Sequence, residues 1–129
     1  MALTFETVRP EDSRLDPLRT LDRRLVWPDA SKCSLLYCAA FDGPTIVGCG
    51  GIRFQGKRRA TSKTLIVSPE YRGQGVGSML LAFSLKLAAG RDIDANVTPD
   101  SLSIYLKAGF IIRHRYANGI TRVERRAAT

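Results

Sequence analysis

The sequence predicts a mixed α/β fold on one mostly antiparallel sheet, and three observations carry that expectation. Short β-rich runs outnumber helical ones. One run passes through a glycine-rich turn straight into an amphipathic helix, and an Asn-Gly pair near the end joins two further runs. In chain order, Thr4 to Val8 alternates and reads as a first strand that Pro10 ends. Asp16 is placed to cap a helix with Pro17 in its first turn; Leu18, Leu21 and Leu25 then share one face, and Pro28 closes the segment. Ser34 to Phe41 and Thr45 to Phe54 flank the turn Asp42-Gly43-Pro44 and predict an antiparallel hairpin. Gly48, Gly50 and Gly51 weaken its second strand and point to a bulge or a close backbone approach. Thr61 to Val67 is the next strand, stopped by Ser68-Pro69. Beyond the glycine turn, Val76, Met79, Leu80, Phe83 and Leu87 fall at helical spacing and Gly90 caps the end. Asp92 to Val97 alternates as a strand, and Thr98 is an N-cap before Pro99. Ser101 to Ala108 makes a short helix that ends at Gly109. Phe110 to Tyr116 and Ile120 to Arg125 flank the hairpin signal Asn118-Gly119. The order is β-α-β-β-β-α-β-α-β-β, and the crossover from Thr61–Val67 to Asp92–Val97 makes those two strands parallel.

A chain of 129 residues, 44% of them apolar, suits one domain around one core and leaves little room for a second. Met1 to Pro10 holds no apolar run of signal-peptide type, and no stretch approaches the roughly 20 apolar residues that span a bilayer. A cytoplasmic protein with no membrane partner is expected. Cys33, Cys38 and Cys49 show no paired metal spacing and read as reduced, mostly buried thiols. The lone His114 builds no metal site with them, so no metal is expected. The net charge of +8 is uneven. Residues 53–63 carry Arg53, Lys57, Arg58, Arg59 and Lys63 with no acid. Residues 107–126 carry Lys107, Arg113, Arg115, Arg122, Arg125 and Arg126 against Glu124 alone. Two solvated hairpins would explain this, and so would attraction of a polyanion such as coenzyme phosphates or nucleic acid.

A strand running into Tyr71-Arg72-Gly73-Gln74-Gly75-Val76-Gly77 and then a helix is an arrangement that binds phosphate. Glycines let successive backbone N–H groups converge on an anion, the helix N-terminus adds a favourable dipole, and Arg72 supplies a charged contact. The spacing is neither a P-loop nor the full G-x-G-x-x-G of a dinucleotide fold, because Gly73, Gly75 and Gly77 are two apart.

Leu65-Ile66-Val67-Ser68-Pro69-Glu70-Tyr71-Arg72-Gly73-Gln74-Gly75-Val76-Gly77 closely resembles the acetyl-CoA signature of the GNAT superfamily of N-acetyltransferases, a strand, then V-x-P-x-[YF]-R-x-x-G-[IV]-G, then a helix. Phe41 to Gly48 is similar to that family's hairpin between its second and third strands, and Ser101 to Phe110 to its S-x-x-x-Y-x-x-x-G-F segment. The resemblance implies a sheet whose two central parallel strands splay apart, with the pantetheine arm of acetyl-CoA in the gap as an added strand. It implies that the backbone of Leu65, Ile66 and Val67 meets the pantetheine, and that the N–H groups of Gly73, Gln74, Gly75, Val76, Gly77 and Ser78 meet the pyrophosphate. A backbone N–H near Val67 would polarise the thioester carbonyl. Tyr105 matches the tyrosine that in many members protonates the departing thiolate.

The general base departs from the pattern. Many relatives carry an acid on the strand before the loop, whereas Ala60, Thr61, Ser62, Lys63 and Thr64 supply none. Asp94, on the second splayed strand, is the candidate; Glu70 is expected to face solvent and His114 to occupy a solvated strand position. The leading expectation is acetyl transfer to a small-molecule, protein or peptide amine. A module that holds acyl-CoA without turnover, and an acyltransferase acting on nucleic acid or aminoacyl-tRNA through residues 53–63 and 107–126, stay open, as does a second copy of the chain as partner.

Overall fold

The computed structural model describes residues 2–21 and 34–127. Seven strands form one sheet in the order β1-β2-β3-β4-β5-β7-β6. They are β1 (Leu3–Val8), β2 (Leu35–Asp42), β3 (Thr45–Gln55), β4 (Arg59–Val67), β5 (Asp92–Val97), β6 (Ile111–Arg115) and β7 (Thr121–Arg125). Every neighbouring pair is antiparallel except β4 and β5, which are parallel. Among the described residues three α-helices complete the order: α1 (Asp16–Arg19), α2 (Val76–Leu87) and α3 (Pro99–Lys107). No helix among the described residues is long and apolar enough to cross a membrane.

The alternation of β2 shows how the sheet is sandwiched. Tyr37, Ala39 and Phe41 pack with Leu15, Leu18 and Cys49 on the side covered by the first helical turns. Cys38 and Ala40 pack with Val47, Val76 and Leu80 under α2. Both faces of β2 and β3 are therefore buried, and these strands read as nearly continuous apolar runs. A second part of the α2 face joins Ile52, Ala60, Leu81, Ile93, Ala95 and Val123 to Tyr105 and Phe110, whose rings meet edge to face at 5.1 Å.

The structure corrects three local expectations. The first helical segment is a 3-10 turn, Ser13–Leu15, running into the four-residue α1, and Asp12 rather than Asp16 caps it by accepting from the Arg14 N–H. Leu21 is exposed, while Leu25 and Pro28 lie outside the described residues, as does Cys33. On α2 the buried stripe is Val76, Gly77, Leu80, Leu81 and Ser84, and Met79 faces outward; the buried face is a quarter-turn from the one through Met79. Thr98 precedes α3, but its hydroxyl bonds Ser101 Oγ rather than a backbone N–H. Cys38 and Cys49 are both buried.

The three glycines of β3 do both things expected of them. A Cβ on Gly48 would meet Ile66 O and Leu80 Cδ1 at 3.0 Å, so this glycine lets α2 sit close to the sheet. Between Gly50 and Gly51 the register with β4 shifts, because Gly50 opposes Leu65 and Gly51 opposes Lys63. Thr64 is the extra residue of that bulge, at φ 39, a left-handed conformation that costs a β-branched residue strain.

Candidate active site

The parallel pairing of β4 and β5 is short. Arg59, Ala60 and Thr61 pair with Asp92, Ile93 and Asp94, and no pairing follows. Past the Thr64 bulge the two strands diverge. In the diverging part Ser68 N–H bonds Val47 O, and Ile66 O lies on the Gly48 side, so these groups turn toward β3. By the two-residue alternation of a strand, Leu65 and Val67 turn their backbone polar groups the other way, into the gap.

The gap opens into a cleft of about 760 Å³. Leu65, Ile66 and Val67 form one wall. Thr98, Asp100, Ser101 and Ile104 face them, and Arg72, Gly73, Gly75, Val76, Gly77 and Ser78 close the end. Here the loop chemistry follows from backbone geometry. Gly73 and Gly75 sit at φ 76 and 83, and a Cβ on either would meet nothing within 4 Å, so these glycines serve chain direction and leave open space before them. Gly77 is different, for a Cβ there would meet Ile104 Cδ1 at 3.0 Å. The first bond of α2 runs from Met79 N–H to Gly75 O, so the N–H groups of Val76, Gly77 and Ser78 have no helical acceptor and belong to residues lining the cleft. Two side-chain hydrogen bonds tie the loop to the neighbouring strands: the Tyr71 hydroxyl donates to the Asp42 carboxylate, and Arg72 Nε donates to Val67 O at 3.1 Å. Gln74 is turned away, its amide donating to Glu70 O at 3.2 Å, and it is the one member of the expected loop set that does not line the cleft.

Tyr105 lies deeper. It is 2% exposed, and its hydroxyl shares a 2.6 Å hydrogen bond with Ser62 Oγ. Burial holds its phenol above the ordinary value, and the Ser62 bond pulls it partly back. Tyr105 lines a narrow crevice with Thr64, Leu65, Asn96, Val97, Thr98 and Ser101. Leu65, Thr98 and Ser101 also line the large cleft, while Thr64 and Asn96 also line a pocket of about 590 Å³ on the opposite side. Cleft, crevice and second pocket thus meet wall to wall through the splayed strands.

Asp94 is not at this junction. One carboxylate oxygen accepts from Thr61 Oγ1 at 2.7 Å and the other from Arg122 at 3.1 Å. Glu70 is exposed beside the loop, and His114 is exposed on β6 with its ring against Tyr116. Ser62, Thr64 and Asn96 lie at this junction, and the sequence does not single them out. Gly50-Gly51 gives the only signal, since a bulge there must displace a residue of the opposing strand. The two basic segments are divided: Arg53 and Lys63 line the second pocket, Arg122 pairs with Asp94, and Arg113 and Arg126 flank Glu124. Among the described residues no group of three or more His, Cys, Asp or Glu could hold a metal ion.

This fold, with a glycine loop at the mouth of two splayed parallel strands, defines an acyltransferase class, and the sequence agrees. Residues 3–110 match the acetyltransferase (GNAT) family, and the chain belongs to it. No curated protein matches the chain by sequence. Solved structures that share the fold include a Klebsiella pneumoniae protein described as an acyl-CoA N-acyltransferase, 21% identical over 95% of this chain and 96% of that one, TM-score 0.79. Another is the PaiA N-acetyltransferase of Thermoplasma acidophilum in complex with coenzyme A, 17% identical over 98% and 99%, TM-score 0.76. A third is an Arabidopsis thaliana protein in complex with the bisubstrate analogue CoA-Ac-MVNAL, 23% identical over 97% and 99%, TM-score 0.73.

Proposed function

We propose that this chain transfers an acetyl group from acetyl-CoA to an amine that enters from the pocket opposite the glycine loop. The observation that carries this reading is the early end of β4–β5 pairing, which leaves strand-edge groups of Leu65 and Val67 facing a cleft that the glycine loop closes. The fit to coenzyme A is chemical. The pantetheine arm has amides that an unpaired strand edge can bond, and the pyrophosphate is an anion suited to the N–H groups of Gly73, Gly75, Val76, Gly77 and Ser78 with Arg72 beside them. For Arg72 the guanidinium reaches phosphate once it leaves Val67 O. Gln74 contributes its backbone alone.

In this reading the chain acts mainly by position. The crevice brings the amine nitrogen and the thioester carbonyl together, which replaces several kcal/mol of entropic barrier. The Val67 N–H donates to the thioester oxygen as negative charge develops there. As the new C–N bond forms and the C–S bond breaks, Tyr105 gives its hydroxyl proton to the departing sulfur, a role that a phenol kept neutral by burial can fill. Ser62, bonded to Tyr105 and lining the second pocket, is placed to relay a proton from water in that pocket to the phenolate, taking one up as it gives one. Asp94, held at both oxygens and outside the pocket linings, does not take the amine proton, which leaves to water.

Acetyl-CoA-dependent release of thiol across a panel of amines, with coenzyme binding followed by calorimetry, tests this directly. Binding with turnover is expected. Binding without turnover on any amine would favour a module that only holds the coenzyme, and no binding would overturn the reading.

A further inference from the structure

Building on that reading, we infer that the acceptor is a small amine that carries its own anionic group, a carboxylate or a phosphate, bound by Arg53 and Lys63. The second pocket sits on the sheet face away from α2. Arg53 pairs in register with Thr61 and Lys63 with Gly51, on neighbouring strands, so both cations project from the same face into one pocket. Both are half-buried, and neither has a carboxylate or hydrogen-bond partner among the described residues. Among the described residues no Asp or Glu lines the pocket. The acids nearest on that face are already matched: Asp94 by Arg122 and Thr61, Glu124 by Arg113 and Arg126.

Two partly desolvated cations side by side repel each other, and an anion between them relieves that repulsion. The same field opposes a polycation, so a polyamine is disfavoured where a compact zwitterion is attracted. The volume, about 590 Å³, suits a small molecule. Asn96 and Thr64 lie where this pocket meets the crevice that holds Tyr105, which puts the amine end of such a molecule toward the thioester and its anionic end toward Arg53 and Lys63.

The test uses matched amines at fixed acetyl-CoA: free amino acids against their carboxamides, phosphoethanolamine against ethanolamine, and spermidine alone. Thiol release should favour the anionic member of a pair by about tenfold or more in kcat/KM, and the two pairs separate carboxylate from phosphate. In the double variant Arg53→Gln with Lys63→Gln the preference should shrink to about threefold or less, with CoA affinity by calorimetry unchanged. Equal or better use of the carboxamides, ethanolamine or spermidine overturns the inference. So does an absence of turnover with every amine when CoA binds normally. A chain that binds no CoA fails at the earlier step and overturns the proposed function itself.

Discussion

The two sides of the splayed strands are built from different materials. The side proposed for the coenzyme is backbone: strand-edge groups of Leu65 and Val67, N–H groups of the first turn of α2, and glycines whose missing side chains leave room. The side proposed for the acceptor is side chains brought from β2, β3, β4, β5 and the β6–β7 hairpin: Tyr37, Arg53, Lys63, Asn96, Tyr116 and Asn118. A backbone site survives most changes of side chain but fails when a glycine gains one, whereas a side-chain site changes its ligand with a single substitution. The first can therefore be shared across a family that differs widely in the second.

That contrast breaks most sharply at the place where the sides meet. Tyr105→Phe should lower kcat by about 10²–10⁴-fold, the usual scale for a general acid, with CoA affinity nearly unchanged. Single-turnover kinetics beside calorimetry reads both quantities, and an unchanged chemical rate removes Tyr105 from the mechanism. On the coenzyme side, Gly75→Asp should weaken CoA roughly 10- to 100-fold, the scale set by removing a hydrogen bond to a charged group. Gly75→Ala should cost mainly stability, about 1–2 kcal/mol for the left-handed φ, because its Cβ meets nothing. Calorimetry and thermal melts separate the two variants, and equal CoA affinity for wild type and Gly75→Asp would empty the loop of its role.

A smaller effect sharpens the relay. Ser62→Ala should lower kcat by roughly tenfold, the scale of one hydrogen bond. The Ser62 bond holds the Tyr105 phenol down against burial, so removing it should move the alkaline fall of kcat to higher pH. A shift to lower pH would contradict the pairing. The smallest effect is on stability. The Tyr105 phenol titrates higher in the folded chain than in the unfolded one, so its contribution is present below about pH 10 and is lost as pH rises through the raised folded value. Denaturant midpoints measured from pH 8 to 11 should fall less steeply for Tyr105→Phe than for wild type.

Legibility in the sequence divides along the same line. Element order, the parallel pair and the Asn118-Gly119 hairpin, with Gly119 at φ 88, follow from periodicity and turn chemistry that act locally. The glycine loop is legible because spacing alone records backbone shape. Ser62 beside Tyr105 is not legible, since only tertiary packing brings the two together, in a hydrogen bond between residues 43 apart. Asp94 shows a different limit: its strand position suggests a base, and the bonds of its two oxygens to Arg122 and to the Thr61 hydroxyl come from packing that the sequence does not record. The α2 stripe is legible only to within a fraction of a turn, because Met79 and Leu81 are both apolar and the sheet beneath decides which is buried.

Whether coenzyme A is held by backbone in the β4–β5 gap and glycine loop is most directly tested by amide NMR. Titration of the nitrogen-15-labelled chain with CoA should perturb most strongly the N–H signals of Leu65, Val67, Gly73, Gly75, Gly77 and Ser78. If the signals of residues 65–77 stand still while those of Lys86, Ala88, Ala89, Gly90 and Arg91, in the adjoining groove, move instead, the coenzyme binds elsewhere and the backbone site is wrong.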